Sequence, residues 1–382
     1  MNRQILAVLT ILIMISFSMA QFTDGPKALF HTLTGNSLEQ GKLDLNASTN
    51  FFTKAADYIG ANEPLDFTVT EYWLVAGDIV MTYGILDRFD ATVGFRLYQD
   101  THQKNEYNLP DDLFLTLRAG SLPFGQNHFQ NAFLASMRFP TGEAHNYPFA
   151  EYASGSFEYG LMYALSFYSD AYLPERSVGV HFNLGWWNHN ESGRVFKFSN
   201  GVEHTADRNS NNINLALAIT VPSTMFDFRI ETSGILYLKK PDNFIYSSEE
   251  WAFLTPSIRY KPLRGLNFDL GMDIRLSPGD RQWTTATDIP NYSRDLDLTP
   301  NFPAWKVYLA ADIELNFASK SLAITSEKDY QRQEAREKIE LFEKIIEERK
   351  KAKNVQKELQ NLRDVRRETE EEIEEIKKLL GE

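Results

Sequence analysis

The 382-residue chain contains no cysteine, so neither a disulfide framework nor a thiolate metal or redox site is part of its design. Beyond the first twenty residues it has no apolar run near the roughly 20 residues a spanning helix needs. Positive charge is in deficit: 39 Lys+Arg stand against 52 Asp+Glu, a formal net charge of −13. An acidic chain of this kind excludes nucleic acid as a partner, because phosphates need a basic surface. The seven histidines show no ligand spacing with a carboxylate. Asp280, Asp288, Asp295 and Asp297 share no glycine-bearing loop of fixed spacing. No metal, cofactor or catalytic residue is therefore assigned. Glycine and proline are missing from one long stretch, Ser326 to Leu380, which marks that stretch as different in kind.

What is present begins with a compartment signal. Arg3 precedes a mostly apolar run from Ile5 to Met19, and Ser18-Met19-Ala20 places small residues before a cleavage point. Residues 1–20 thus read as a secretory signal peptide, too short and wrongly flanked for a spanning helix. No cysteine follows the site, which excludes a lipidated N-terminus.

Between residues 40 and 317 the dominant signal is alternation with period two, in twelve runs. Phe226, Phe228 and Ile230 oppose Asp227, Arg229, Glu231 and Ser233. Leu266, Phe268, Leu270, Met272 and Ile274 oppose Asn267, Asp269, Asp273 and Arg275. Phe89, Ala91, Val93, Phe95 and Leu97 oppose Asp90, Thr92 and Arg96. Several runs reach nine or more residues, the length of a tilted strand crossing a bilayer. A soluble core would not tolerate charges along the other face. Lipid outside and a polar lumen inside satisfy both faces, and the averaged hydropathy hides the membrane protein.

The connections support the same reading. Every second link is short: 86–88, 121–128, 170–176, 222–225 and 262–265. The others are long and polar: about 53–65, 100–112, 140–152, 188–210, 239–250 and 277–303. Short turns on one side and long loops on the other are the pattern of an outer-membrane barrel. The expected fold is an all-β transmembrane barrel of about twelve antiparallel strands over 40–318, its last run, Trp305 to Phe317, resembling the terminal strand that barrel assembly machinery reads. Tyr72, Trp73, Trp186, Trp187, Trp251, Tyr260 and Trp305 are expected at the headgroup level. Residues 21–39 have no strand-length alternation and form a periplasmic segment or a plug that enters the lumen.

Inward positions carry mixed charge. The lumen-lining acids are Asp90, Glu158, Asp227, Glu231, Asp269, Asp273, Asp312 and Glu314. The bases are Arg96, Arg118, Arg138, Arg229, Arg259 and Arg275. They either line a thin channel or pair across the lumen and seal it.

Three short motifs then carry a resemblance. Tyr83-Gly84-Ile85-Leu86-Asp87-Arg88, Arg138-Phe139-Pro140-Thr141-Gly142 and Asn183-Leu184-Gly185-Trp186 resemble, in order and spacing over about 65–190, a bacterial outer-membrane barrel group of transporters of the MetA-pathway-of-phenol-degradation type. The resemblance implies an outer-membrane channel for small, hydrophobic or aromatic compounds. Physically, Gly84 and Asp87 suit a tight hairpin, and Pro140 ends a ladder because it lacks an N–H. Separately, Asn188-His189-Asn190-Glu191-Ser192 is similar to the Asn-His-x-Ser stretch of outer-membrane phospholipase A, with one extra residue between His189 and Ser192. In a strand that spacing puts the two on opposite faces.

Residues 319–382 hold 16 Lys+Arg against 17 Asp+Glu, so nearly all of the net charge sits on 21–318. Ala335, Ile339, Phe342 and Ile346 follow 4-3-4 spacing, and Val355, Leu359 and Leu362 resume it in a shifted register. This predicts a charged α-helical or coiled-coil extension, straight or folded as a hairpin, on the periplasmic side. Its seam over 326–380 points to self-association or a periplasmic partner, while outer-membrane lipid is the partner of the barrel. Three functions remain: passive passage of small molecules, a closed barrel that anchors the helix, or a lipid hydrolase, which needs Ser192 and His189 within hydrogen-bond reach.

Overall fold

The computed structural model describes residues 28–57, 69–100, 112–124, 128–142, 152–197, 203–242, 245, 249–263, 265–278 and 302–317, and in the tail 338, 342, 345, 346, 349, 353, 358–363, 365–367 and 369. The signal segment and the four loop aspartates fall outside them. The chain divides into two units, Met1–Ser321 and Leu322–Glu382.

Twelve strands of the first unit close into one antiparallel barrel, and two more pair in an external hairpin. In chain order they are β1 (Lys42–Asp57), β2 (Val69–Leu86), β3 (Phe89–Asp100), β4 (Leu113–Phe124), β5 (Phe129–Phe139), β6 (Glu158–Tyr168), β7 (Gly179–Asn188), β8 (Val195–Lys197), β9 (Glu203–Thr205), β10 (Asn211–Pro222), β11 (Phe226–Lys239), β12 (Trp251–Leu263), β13 (Leu266–Arg275) and β14 (Trp305–Asn316). Each barrel strand pairs with its chain neighbours, β7 with β10 across the β8–β9 hairpin. The ring closes where β1 pairs β14, from Lys42 opposite Asn316 to Phe51 opposite Val307. That register puts the start of β1 and the end of β14 on one rim, with the short turns. No edge is left unpaired, as a strand surrounded by lipid requires.

The period-two alternation of the sequence is the pleat itself. Phe133, Leu161, Leu184, Phe228, Leu270 and Leu309 face outward and exposed, while Arg118, Met162, Asn183, Glu231, Asp273 and Asp312 between them are buried. The apolar outer belt is the surface that lipid covers.

Three details differ from the sequence reading. Strand β4 runs past Ser121 to Phe124, because a bulge between Ala119 and Leu122 absorbs a register shift and Ser121 takes a left-handed φ of 53° there. The 188–210 link contains the β8–β9 hairpin, too short to show a period. Trp187 and Trp251 are 0% and 3% exposed, inside rather than at the headgroup level. Trp187 must oppose Trp186 across the pleat, and its indole N–H donates to Glu158 Oε2 at 2.8 Å.

The second unit is helical at every described position. Phe342, Ile346, Leu359, Leu362 and Val365 stand exposed on it. It is therefore a helix rather than a coiled coil, since among the described residues no second helix packs on the seam.

Candidate functional site

The inward face of the barrel is a concave surface with two differently built sides. On one side the pleat points charges inward, and they are paired. Arg96 Nε donates to Asp78 Oδ1 at 2.9 Å. Arg118 Nε lies 3.5 Å from Asp90 Oδ1, and Arg138 Nε 2.5 Å from Asp112 Oδ2. Arg259 holds Asp269 in a fork, Nε to Oδ1 at 2.8 Å and Nη2 to Oδ2 at 2.7 Å, and Arg229 donates to the same carboxylate. Lys261 meets Asp227 at 2.5 Å, Lys42 meets Glu314 at 2.7 Å, and Arg275 meets Glu249 at 3.3 Å. Asp312 accepts from Asn267 Nδ2 at 2.7 Å. Ions out of bulk water need this arrangement, because an unpaired one carries the full desolvation cost.

On the other side an apolar strip runs among buried polar residues such as Ser166, Asn183 and Asn214, which the expectation of a polar lumen did not include. Ala132 and Leu134 of β5, Met162 and Ala164 of β6, Trp187 of β7 and Ala216 of β10 form one buried cluster. Two further members of that cluster, Ala28 and Leu33, belong to the segment that precedes β1.

Residues 28–41 follow the inner wall nearly all the way round before entering β1. The amides of Phe30 and His31 both donate to Glu231 of β11, each at 2.9 Å. His31 Nε2 lies 2.7 Å from Asp273 Oδ1 of β13, and the Phe30 ring packs on Tyr308 of β14 with centroids 5.2 Å apart. Leu33 meets Asn183 of β7 twice, its N–H donating to Oδ1 and its carbonyl accepting from Nδ2, both at 2.7 Å. A side-chain amide carries the same donor and acceptor as a peptide group, so Asn183 extends the ladder inward. Gly35 donates to Ser166 Oγ of β6 at 2.8 Å, and its carbonyl accepts from Ser121 of β4 at 2.8 Å. Ser37 donates to Ser121 Oγ at 2.9 Å, the use to which the β4 bulge is put. Leu38 donates to Asp90 Oδ2 of β3 at 2.8 Å, and Gly41 to the carbonyl of Gly84 of β2 at 2.9 Å.

Two glycines make this close approach possible. A Cβ on Gly35 would collide with the carbonyl of Gln130, and one on Gly84 with the carbonyl of Glu39. The reason for Gly84 is thus not the hairpin turn, as its place in the motif suggested, but the passage of a second chain over it.

Asp273 gathers several partners. Besides His31 it accepts from Thr255 Oγ1 at 2.7 Å and Tyr308 OH at 2.9 Å, and Lys306 Nζ stands 3.5 Å away. Burial opposes charge on His31, but the adjoining Asp273 and Glu231 carboxylates outweigh it and raise its pKa above the usual value.

At the opposite end, Glu158 accepts from Trp187, from His189 Nδ1 at 3.0 Å and from both the amide and hydroxyl of Ser154. His189 Nε2 faces Asn212 Nδ2 at 3.2 Å. With both ring nitrogens engaged, neither is left for Ser192, whose amide bonds to Asn209; the nucleophile–base geometry of a hydrolase is not assembled.

The sequence brought forward the charged lumen residues but not Asn183, Ser121, Ser166 or His31, which hold the inner segment. An inward-facing Asn in mid-strand, as at Asn183, is the signal that could have pointed to a ladder continuing off the wall.

No family model matches the chain, and no curated protein does. Solved structures similar to it include an outer membrane channel from Pseudomonas putida F1, at 11% identity over 73% of this chain and 97% of that one, with a TM-score of 0.45. The NanC porin is similar at 9% identity over 72% and 100%, with a TM-score of 0.43. The P. putida toluene transporter TodX is similar at 9% identity over 74% and 91%, with a TM-score of 0.32.

Proposed function

We propose that this chain is an outer-membrane channel for passive passage of small hydrophobic or aromatic molecules, closed by its own N-terminal segment. The observation that carries the reading is the apolar strip on the inner wall, formed by Leu134, Met162, Trp187 and their alanine neighbours, with Leu33 packed in the same cluster. A barrel serving only as an anchor has no use for an apolar strip inside. A twelve-strand ring is also wider than side chains alone fill, so the segment acts as a stopper that can be withdrawn. Its attachment is mostly by hydrogen bonds to side chains, which exchange readily with water once one end is free. The paired charges on the other half hold the wall in shape and contribute to selectivity.

A second reading is supported by the exposed seam of the tail, Phe342, Ile346, Leu359 and Leu362. On this reading the tail lies in the periplasm, where its apolar seam associates with another copy or a periplasmic partner.

The test is conductance in planar bilayers, together with uptake of a small aromatic by proteoliposomes, for chain 21–382 and for the same chain lacking 21–38. The full chain should admit the aromatic while passing few ions, and the truncated one should show steady conductance steps. Silence and impermeability of both, with heat-modifiable folded protein on a gel, would reject the channel. Removing 319–382 should leave uptake intact but abolish association if the tail is a docking element.

A further inference from the structure

The external end of the barrel holds a second polar cluster that the closure of the lumen does not use. His189 and Glu191 follow β7, Ser210 precedes β10, Tyr152 precedes β6, and Tyr237 lies near the end of β11. Glu191 is 2% exposed. Its Oε1 accepts from the Ser210 amide at 2.8 Å, but Oε2 has no hydrogen-bond partner, and no ion pair of Glu191 occurs among the described residues. The hydroxyls of Ser210 and Tyr152, also buried, have no partner either. Direct contacts join the group: the His189 amide donates to the Ser210 carbonyl at 3.2 Å, and the His189 ring lies 4.7 Å from that of Tyr152 and 6.3 Å from that of Tyr237.

Glu158, a short way off, shows what a satisfied buried carboxylate looks like here, with four donors on its two oxygens. Glu191 departs from that pattern. A buried carboxylate with no counter-charge is costly, and buried acceptors are nearly always matched. A cation carrying hydrogen-bond donors would supply both the counter-charge and the donors that Glu191 lacks.

We propose that Glu191, Ser210 and Tyr152 form a binding site for the ammonium group of a small primary amine. An ammonium has three N–H donors, and the three unpartnered oxygens of these linked residues can each accept one. The rings of Tyr152 and Tyr237 add a favourable π surface for the cation. An anion is excluded by the carboxylate, and a neutral ligand would leave its charge uncompensated. A quaternary ammonium has no N–H and satisfies none of the oxygens. The acidic barrel unit draws cations toward this mouth. The site stands whether or not the barrel conducts.

Methylammonium titrated into the folded mature chain in detergent, in sodium buffer, should give saturable heat at one site by calorimetry, and tetramethylammonium should give none. Glu191→Gln should weaken binding on the order of 30-fold or more. Tyr152→Phe keeps the ring and should weaken it about tenfold. Gel mobility before and after heating reports whether each variant is folded, and if Glu191→Gln is not, Tyr152→Phe carries the test. Absence of saturable heat would mean that water or sodium fills the site and would overturn the proposal. Equal binding by tetramethylammonium, or wild-type affinity in folded Tyr152→Phe, would overturn it too.

Discussion

The two halves of the inner wall hold the same short segment by different physics. On β11 and β13 it is held by charge: Glu231 grips two successive amides and Asp273 takes the His31 ring. On β5, β6, β7 and β10 it is held by Leu33 in an apolar bed, with Asn183 matching its peptide group. The charged half fixes position sharply but depends on ionisation, whereas the apolar half is indifferent to pH and responds to volume. A stopper that must release needs one grip that conditions can weaken and another that remembers where it belongs.

The largest effect should come from breaking the charged grip. Asp273→Asn removes the partner of a buried imidazole and of Lys306, so docking of residues 28–31 should weaken by about 3–5 kcal/mol. Hydrogen exchange of the Phe30 and His31 amides measures this directly, with barrel melting as the control. Unchanged protection would mean that Glu231 alone suffices. Next comes the apolar grip. Leu33→Ala should cost about 2–4 kcal/mol by leaving a void against Met162 and Trp187, and limited proteolysis of the 28–40 stretch should accelerate accordingly. If each variant frees only its own end, the halves act independently; if either frees the whole segment, they act as one unit. The smallest effect is that of pH. Because the folded pKa of His31 is raised, its contribution is complete below the ordinary histidine value of about 6.5 and is lost as pH rises through the raised value. Segment protection should therefore fall on the alkaline side in wild type and lose that dependence in His31→Gln. A fall toward acid instead would contradict the sign.

Much of this wall was legible because a strand buried on one face and bathed in lipid on the other writes its geometry at period two. Residues 226–239 show it plainly: Phe228 and Ile230 face out, Arg229 and Glu231 face in. The inner segment was not legible. His31, Leu33 and Gly35 have no periodicity, and their partners lie 131 to 242 positions away. Gly84 stood in a recognisable motif, yet its purpose depends on Glu39 passing over it. Trp187 and Trp251 misled because an aromatic near a strand end suits a headgroup and a closed mouth equally well, and only the parity of the pleat decides.

By itself the sequence determined a membrane barrel of twelve strands, with short turns on one rim and long loops on the other, and a chemically distinct charged tail. Those features follow from local alternation and from where turn residues fall, both of which are short-range. Which charges pair, that an apolar strip lies on the inner wall, that a segment ahead of β1 winds inside it, and that Glu191 has no counter-ion among the described residues were decided only by the closed ring. Ring closure brings strands remote in sequence to face one inner space, and no short-range pattern encodes what meets there.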